Sequence, residues 1–201
     1  MCWGGTAVKI GWIRHGKTEW NALGRIQGQT DIPLNDEGRA QARALAERLH
    51  RDGDVWDAVV SSDLSRARET AAVIAERLGL PLLDGDPRIR ERSFGEIEGT
   101  TEPERLARWG PDWRSAAAGQ ESDEAVRSRG MSFVNEWLRK RPDVRLLAVT
   151  HGSTLAQLLS EMCERADDGY LGNMSLSILE FREDRWHSVL HNCTLHLQSV
   201  R

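Results

Sequence analysis

The 201-residue chain is poor in the features that announce a compartment or substitute for a hydrophobic core. It has three cysteines, Cys2, Cys163 and Cys193. Their number is odd, and their spacing matches neither a metal knuckle nor a disulfide framework, so a reducing compartment is expected. No apolar run approaches the ~18 residues of a membrane span. The N-terminal "MCWGGTAVKI" lacks a basic leader followed by a long apolar stretch. A soluble cytoplasmic protein, without a membrane partner, is the expectation. An excess of one charge is also missing, because 27 Lys and Arg face 31 Asp and Glu, for a formal net charge of -4. No global field attracts nucleic acid, and an anionic ligand must be held by a local positive cluster. The chain has no HExxH, no CxxC pair and no carboxylate cluster spaced for two ions, so neither metal nor other cofactor is expected. Internal repeats and low-complexity linkers are absent too.

What is present is an ordinary globular composition, 39% hydrophobic and 29% charged. The length suits one domain spanning residues 1–201, large enough to bury a core unaided. Short apolar runs alternate with helical patterns. "AVKIGWI", "DAVVSS" and "VRLLAVT" read as buried strands, and "LPLL" as a short further strand. "NDEGRAQARALAERLHRDG" reads as a helix with Asn35 as N-cap and Gly53 at its far end. "DLSRARETAAVIAERLG" is a second, with Asp63 or Ser62 as cap, and "STLAQLLSEMC" a third. "LSILEFR" and "WHSVLHN" flank "EDR" as an antiparallel hairpin. The alternation predicts an α/β fold, with a largely parallel sheet covered on both faces. Residues at about 95–122 break the rhythm with Gly and Pro punctuation, and read as a lid-like excursion over the sheet.

Ligands of such sheets bind at the carboxyl ends of the strands. There the sequence places Arg14-His15-Gly16, then Arg66, then Glu91 among arginines, then His151-Gly152. Each residue alone has an ordinary structural explanation, as a satisfied histidine, a solvated arginine or a locally paired glutamate. Together they are hard to obtain from core packing, because several like charges in one crevice are costly unless an anion fills it. A phosphate monoester suits the set. Arginines match its oxygens with forked donors. A neutral imidazole can attack phosphorus, and a protonated one can hold the equatorial oxygens. A carboxyl group can protonate the leaving oxygen.

"IRHGKTEWNALGRIQGQTDIPLNDEGRAQA", "SSDLSRARETA", "RERSFGEIEG" and "VTHGS", in this order, resemble the histidine phosphatase superfamily, also called phosphoglycerate mutase-like. The resemblance runs from Val8 to about Leu197. It implies a three-layer α/β/α sandwich, with His15 as the nucleophile that becomes phosphorylated. Arg14, Arg66 and His151 would form the phosphate pocket. Glu91 would protonate the leaving group and then activate water. In similar proteins the positions of Thr18, Asn21, Gln27, Gly28 and Gly152 line the same pocket, and Gly16 and Gly152 would permit close backbone approach to an anion. Two positions depart from the family pattern: Lys17, and Cys193, where an acid is common. The excursion is compact and its arginines (Arg105, Arg108 and Arg114) are scattered, so a phosphatase is favoured over a cofactor-dependent phosphoglycerate mutase. A phospho-ligand binding module without catalysis is the third reading. The expected partner is a small phosphorylated substrate, and the expected state is monomer or homodimer. Trp109 and Trp113 either stack on a substrate or close a small core under the lid.

Overall fold

The computed structural model of the protein describes residues 7–163 and 170–199, so Cys2 lies outside the described residues. Five strands, β1 (Val8–Arg14), β2 (Ala58–Ser61), β3 (Arg145–Thr150), β4 (Leu176–Arg182) and β5 (Arg185–Cys193), form one sheet in the order β2-β3-β1-β4-β5. The α-helices among the described residues are α1 (Glu19–Ala22), α2 (Asp36–Asp52), α3 (Ser65–Leu78), α4 (Glu102–Trp109), α5 (Trp113–Ala116), α6 (Asp123–Lys140) and α7 (Gly152–Met162).

The strand β1 is parallel to β3, and β3 to β2. Helical crossovers join these strands, as parallel pairing requires. The hairpin of β4 and β5 adds two antiparallel pairings on the other side. Glu183 and Asp184 at its tip both have positive φ, the geometry of a tight two-residue turn.

The central strands are apolar on both faces, and alternation sends their side chains into two cores. Ile10, Trp12, Leu146 and Ala148 meet Phe133 and Val134 of α6 and Leu155 and Leu158 of α7. Ile13, Leu147 and Val149 meet Leu45 and Leu49 of α2 and Ala71 and Ile74 of α3. The result is the expected three-layer α/β/α arrangement. No helix among the described residues is long and apolar enough to cross a membrane.

The caps explain the helix ends. Asn35 accepts from the Gly38 amide at 2.9 Å to start α2, and Gly53 ends it at φ 70°. The start of α3 differs from expectation, because its N-cap is Leu64 without a side-chain cap bond. Ser62 Oγ accepts from the Leu64 amide, and Asp63 is diverted into an ion pair with Arg90. The further strand expected at "LPLL" shrinks to one bridge, Leu82 to Val59. Pro81 has no amide to offer a ladder, which confines the pairing to that point.

The excursion carries α4 and α5 and is pinched at its base by the bridge between Phe94 and Gln120. It has a small core of its own, Ile97, Trp113 and Ala117, against which Ile26, Phe94 and Trp109 pack. The two tryptophans therefore serve the core of the excursion. Arg105 and Arg114 both lie over the Trp113 ring, 4.6 and 4.2 Å from its centroid.

Candidate active site

Three strand ends and one loop build the site. β1 ends in Arg14 and delivers His15, while β3 ends in Thr150 and delivers His151 as the N-cap of α7. Arg66 lies in the first turn of α3, just beyond the end of β2. Glu91 follows the 3-10 turn Pro87–Ile89. All five are buried. Arg14, His15, Arg66 and Glu91 line a cavity of about 430 Å³ together with Asn21, Gln27, Gly28 and Gly152. His151 stands beside His15, with the ring centroids 5.0 Å apart.

His15 Nδ1 lies 2.7 Å from the Gly16 carbonyl oxygen. A carbonyl oxygen only accepts, so Nδ1 carries the proton and Nε2 keeps its lone pair. Burial, then Arg66, then Arg14 push the His15 pKa well below the usual imidazole value. The free protein thus holds a neutral imidazole with a bare Nε2. His151 is also driven well below the usual value, by burial first, then Arg66, His15 and Arg14. It is therefore neutral in the free protein, and protonation requires an anion among these cations. Neither of its ring nitrogens has a partner among the described residues.

The two arginines are held from behind. Arg66 donates to the Thr30 and Gly28 carbonyls at 3.0 and 2.6 Å. Arg14 donates through Nη1 to the Leu171 carbonyl. The Nε of each is buried without a partner among the described residues. Buried donors of this kind are uncommon and costly, and an anion answers both. The loop that holds Arg66 is itself shaped by Glu98, which accepts from the amides of Gln29, Thr30 and Phe94.

Glu91 has no ion pair among the described residues, because its neighbours are taken: Arg90 by Asp63 and Arg92 by Asp123. Its carboxyl group caps the start of α7 instead. Oε1 accepts from the amides of Thr154 and Arg92 at 3.0 and 2.9 Å, and Oε2 from the Ser153 amide at 3.2 Å.

The other expected positions sort by depth. Thr18 is buried behind the cavity wall, where its hydroxyl donates to Gln27 at 2.9 Å and accepts from the Asn21 amide. Gly152 lets Arg14 approach, since a Cβ there would lie 3.2 Å from Arg14 Nε. Gly16 approaches protein rather than ligand, because a Cβ on it would lie 2.6 Å from the Gly38 carbonyl. Lys17 pairs with Glu37 at 2.8 Å and is absent from the cavity lining. Cys193 meets Arg48, whose Nη1 lies 3.1 Å from the sulfur. The outer wall was not foreseen: Gly24, Arg25, Ile26, Phe94, Ser153, Ala156, Tyr170 and Leu171. Arg25 and Ile26 sit between Asn21 and Gln27, so the loop that holds those two was the available signal. Tyr170 and Leu171 carry no motif.

The family model of the histidine phosphatase superfamily (branch 1) matches residues 10–194. The chain belongs to this superfamily. An uncharacterised phosphatase PhoE of Bacillus subtilis is 36% identical over 96% of this chain and 97% of its own. A metal-independent phosphoserine phosphatase of Arabidopsis thaliana is 34% identical, covering 94% of this chain and 82% of its own. A probable phosphoglycerate mutase of Serratia proteamaculans is also 34% identical, over 87% and 85%. Among solved structures, a mycobacterial glucosyl-3-phosphoglycerate phosphatase complexed with VO3 superposes with a TM-score of 0.82 at 31% identity, over 92% of this chain and 99% of its own. The superfamily's phosphoglycerate mutase-like fold is thus shared across the whole α/β/α frame.

Proposed function

We propose that the protein hydrolyses small phosphate monoesters through a phosphohistidine at His15. The observation that carries this reading is the neutral His15 imidazole, its Nε2 bare, set among Arg14, Arg66 and His151. Phosphatase names among the relatives support it. The phosphoryl oxygens lie against Arg14, Arg66 and His151, which concentrates positive charge where the transition state needs it. His15 Nε2 attacks phosphorus as the bond to the ester oxygen breaks, and Glu91 as a carboxylic acid gives that oxygen its proton. The Glu91 carboxylate then takes a proton from water as the water oxygen attacks the phosphohistidine. The P–N bond breaks, phosphate leaves, and both residues return to their starting forms.

Hydrolysis is preferred to phosphoryl exchange between two carbon oxygens for a reason in the cavity wall. A phosphoglycerate needs a second anion site beside the phosphate pocket. Of the lid arginines, Arg105 and Arg114 lie over Trp113 and Arg108 over Trp109, and none of the three lines the cavity. Arg25 does line it, and it is already paired with Glu104 at 3.0 Å. The rest of the outer wall is largely apolar, with Ile26, Phe94, Ala156 and Leu171. The test is a panel of phosphorylated metabolites, with 3-phosphoglycerate plus a trace of the 2,3-bisphosphate among them. Free phosphate from several monoesters is expected. Rapid 2-phosphoglycerate formation without free phosphate would overturn the hydrolase reading in favour of the mutase.

A further inference from the structure

Glu91 lies just beyond the 3-10 turn Pro87–Ile89 and in no helix or strand, yet general acid catalysis needs its carboxyl placed to within a fraction of an ångström. Four consecutive backbone carbonyls, from Arg88 to Glu91, accept bonds from side chains instead. Thr150 Oγ1 serves Ile89 at 2.8 Å, Thr154 Oγ1 serves Arg90 at 2.7 Å, and Gln29 Nε2 serves Glu91 at 3.1 Å. Arg129 of α6 serves three of the four. Its Nη1 donates to the Arg88 and Arg90 carbonyls at 2.7 and 2.8 Å, and its Nη2 to the Glu91 carbonyl at 3.2 Å.

Arg129 is itself gripped from the other side. Glu121 takes its Nε and Nη2 at 2.7 and 2.9 Å, and this carboxylate also accepts from the Ser93 amide at 3.3 Å. Both side chains of the pair are largely buried. Arg129 and Glu121 therefore bracket the Glu91 loop on both sides of Glu91. Arg129 does not line the cavity. Only a forked, planar donor set reaches several carbonyls at fixed angles in this way, which an ammonium does not reproduce.

We propose that Arg129, oriented by Glu121, is a positioning residue that sets the proton-transfer geometry of Glu91. The inference rests on the proton-donor reading of Glu91. It predicts a loss that scales with the need for a proton. Alkyl phosphates have poor leaving groups and depend on the acid, whereas aryl phosphates with acidic phenols leave nearly unaided. The quantity to measure is kcat/KM, which reports steps through phosphoryl transfer to His15, across esters of graded leaving-group pKa. Wild type, E91Q, R129M and R129K are compared. R129M is expected to lower kcat/KM for alkyl phosphates by ~100-fold while aryl phosphates change little, so that its profile steepens as that of E91Q does. R129K, which keeps the charge and loses the fork, recovers only part. Affinity for inorganic phosphate stays at the wild-type value, which a general loss of structure would not allow. An R129M profile parallel to wild type, with E91Q steepened, overturns the inference and leaves the proposed reaction standing. An E91Q profile parallel to wild type overturns the proton-donor reading and the inference with it. Should R129M fail to fold, R129K carries the same comparison.

Discussion

His15 owes its neutral state to its neighbours as well as to its burial. Burial is the largest cause of its lowered pKa, and the positive charges of Arg66 and Arg14 come next. A cation nearby disfavours the imidazolium, so removing it raises the pKa. Arg66→Met should therefore do two things. It should cost about a hundred- to a thousandfold in kcat/KM, the usual toll for losing one transition-state donor. It should also move the acid limb of the kcat/KM profile to higher pH, because more His15 is protonated at any given acidic pH. His151, lowered by the same arginine, shifts in the same direction. In wild type, activity should persist below the ordinary imidazole range. An acid limb that stays in place in Arg66→Met would contradict this account of the nucleophile. The same scale explains the two departures from the family pattern. Lys17 is turned away to Glu37, and Cys193 meets the guanidinium of Arg48 without entering the cavity.

Among the elements, the turn after β1 packs closely against the start of α2. Gly16 lies against the Gly38 backbone, and a Cβ on Gly38 would run into the Lys17 carbonyl. The start of α2 thus presses directly on the turn that carries His15. Gly38→Ala should destabilise the protein by about 1–3 kcal/mol through overpacking. It should also lower kcat, since the backbone that must yield bears the nucleophile. Thermal unfolding and steady-state kinetics check both effects, and an unchanged kcat at a lowered Tm would show the contact to be structural alone. Elements of this kind were legible wherever pattern and punctuation agree. The apolar period of β1 and β3, Asn35 and Gly53 around α2, and the "EDR" hairpin all follow from local chemistry. The exceptions have their own causes. Asp63 caps nothing because Arg90 claims it, and "LPLL" stops at a single bridge to Val59 because Pro81 has no amide to offer a ladder.

At the level of the whole molecule, the deep half of the cavity was readable because the fold converts order along the chain into convergence in space. Arg14, His15, Arg66 and His151 each stand beside a strand end, and parallel strands present those ends on one edge. Glu91 was readable from its motif rather than from its position in an element. The outer half was not readable. Phe94 comes from the mouth of the excursion and Tyr170 and Leu171 from the approach to β4, and no period or cap brings those segments together. The Arg129–Glu121 clamp is equally invisible in sequence, since it joins a helix face to the carbonyls of an irregular loop. Everything in the proposed reaction passes through His15. The most direct test is to mix the enzyme with a rapidly cleaved aryl phosphate, denature it in alkali within the first turnovers, and locate the phosphoryl group by peptide mass spectrometry. The account predicts phosphorylation of His15, with His15→Ala unlabelled and inactive. A phosphoryl group on another residue, or full turnover by His15→Ala, would contradict it.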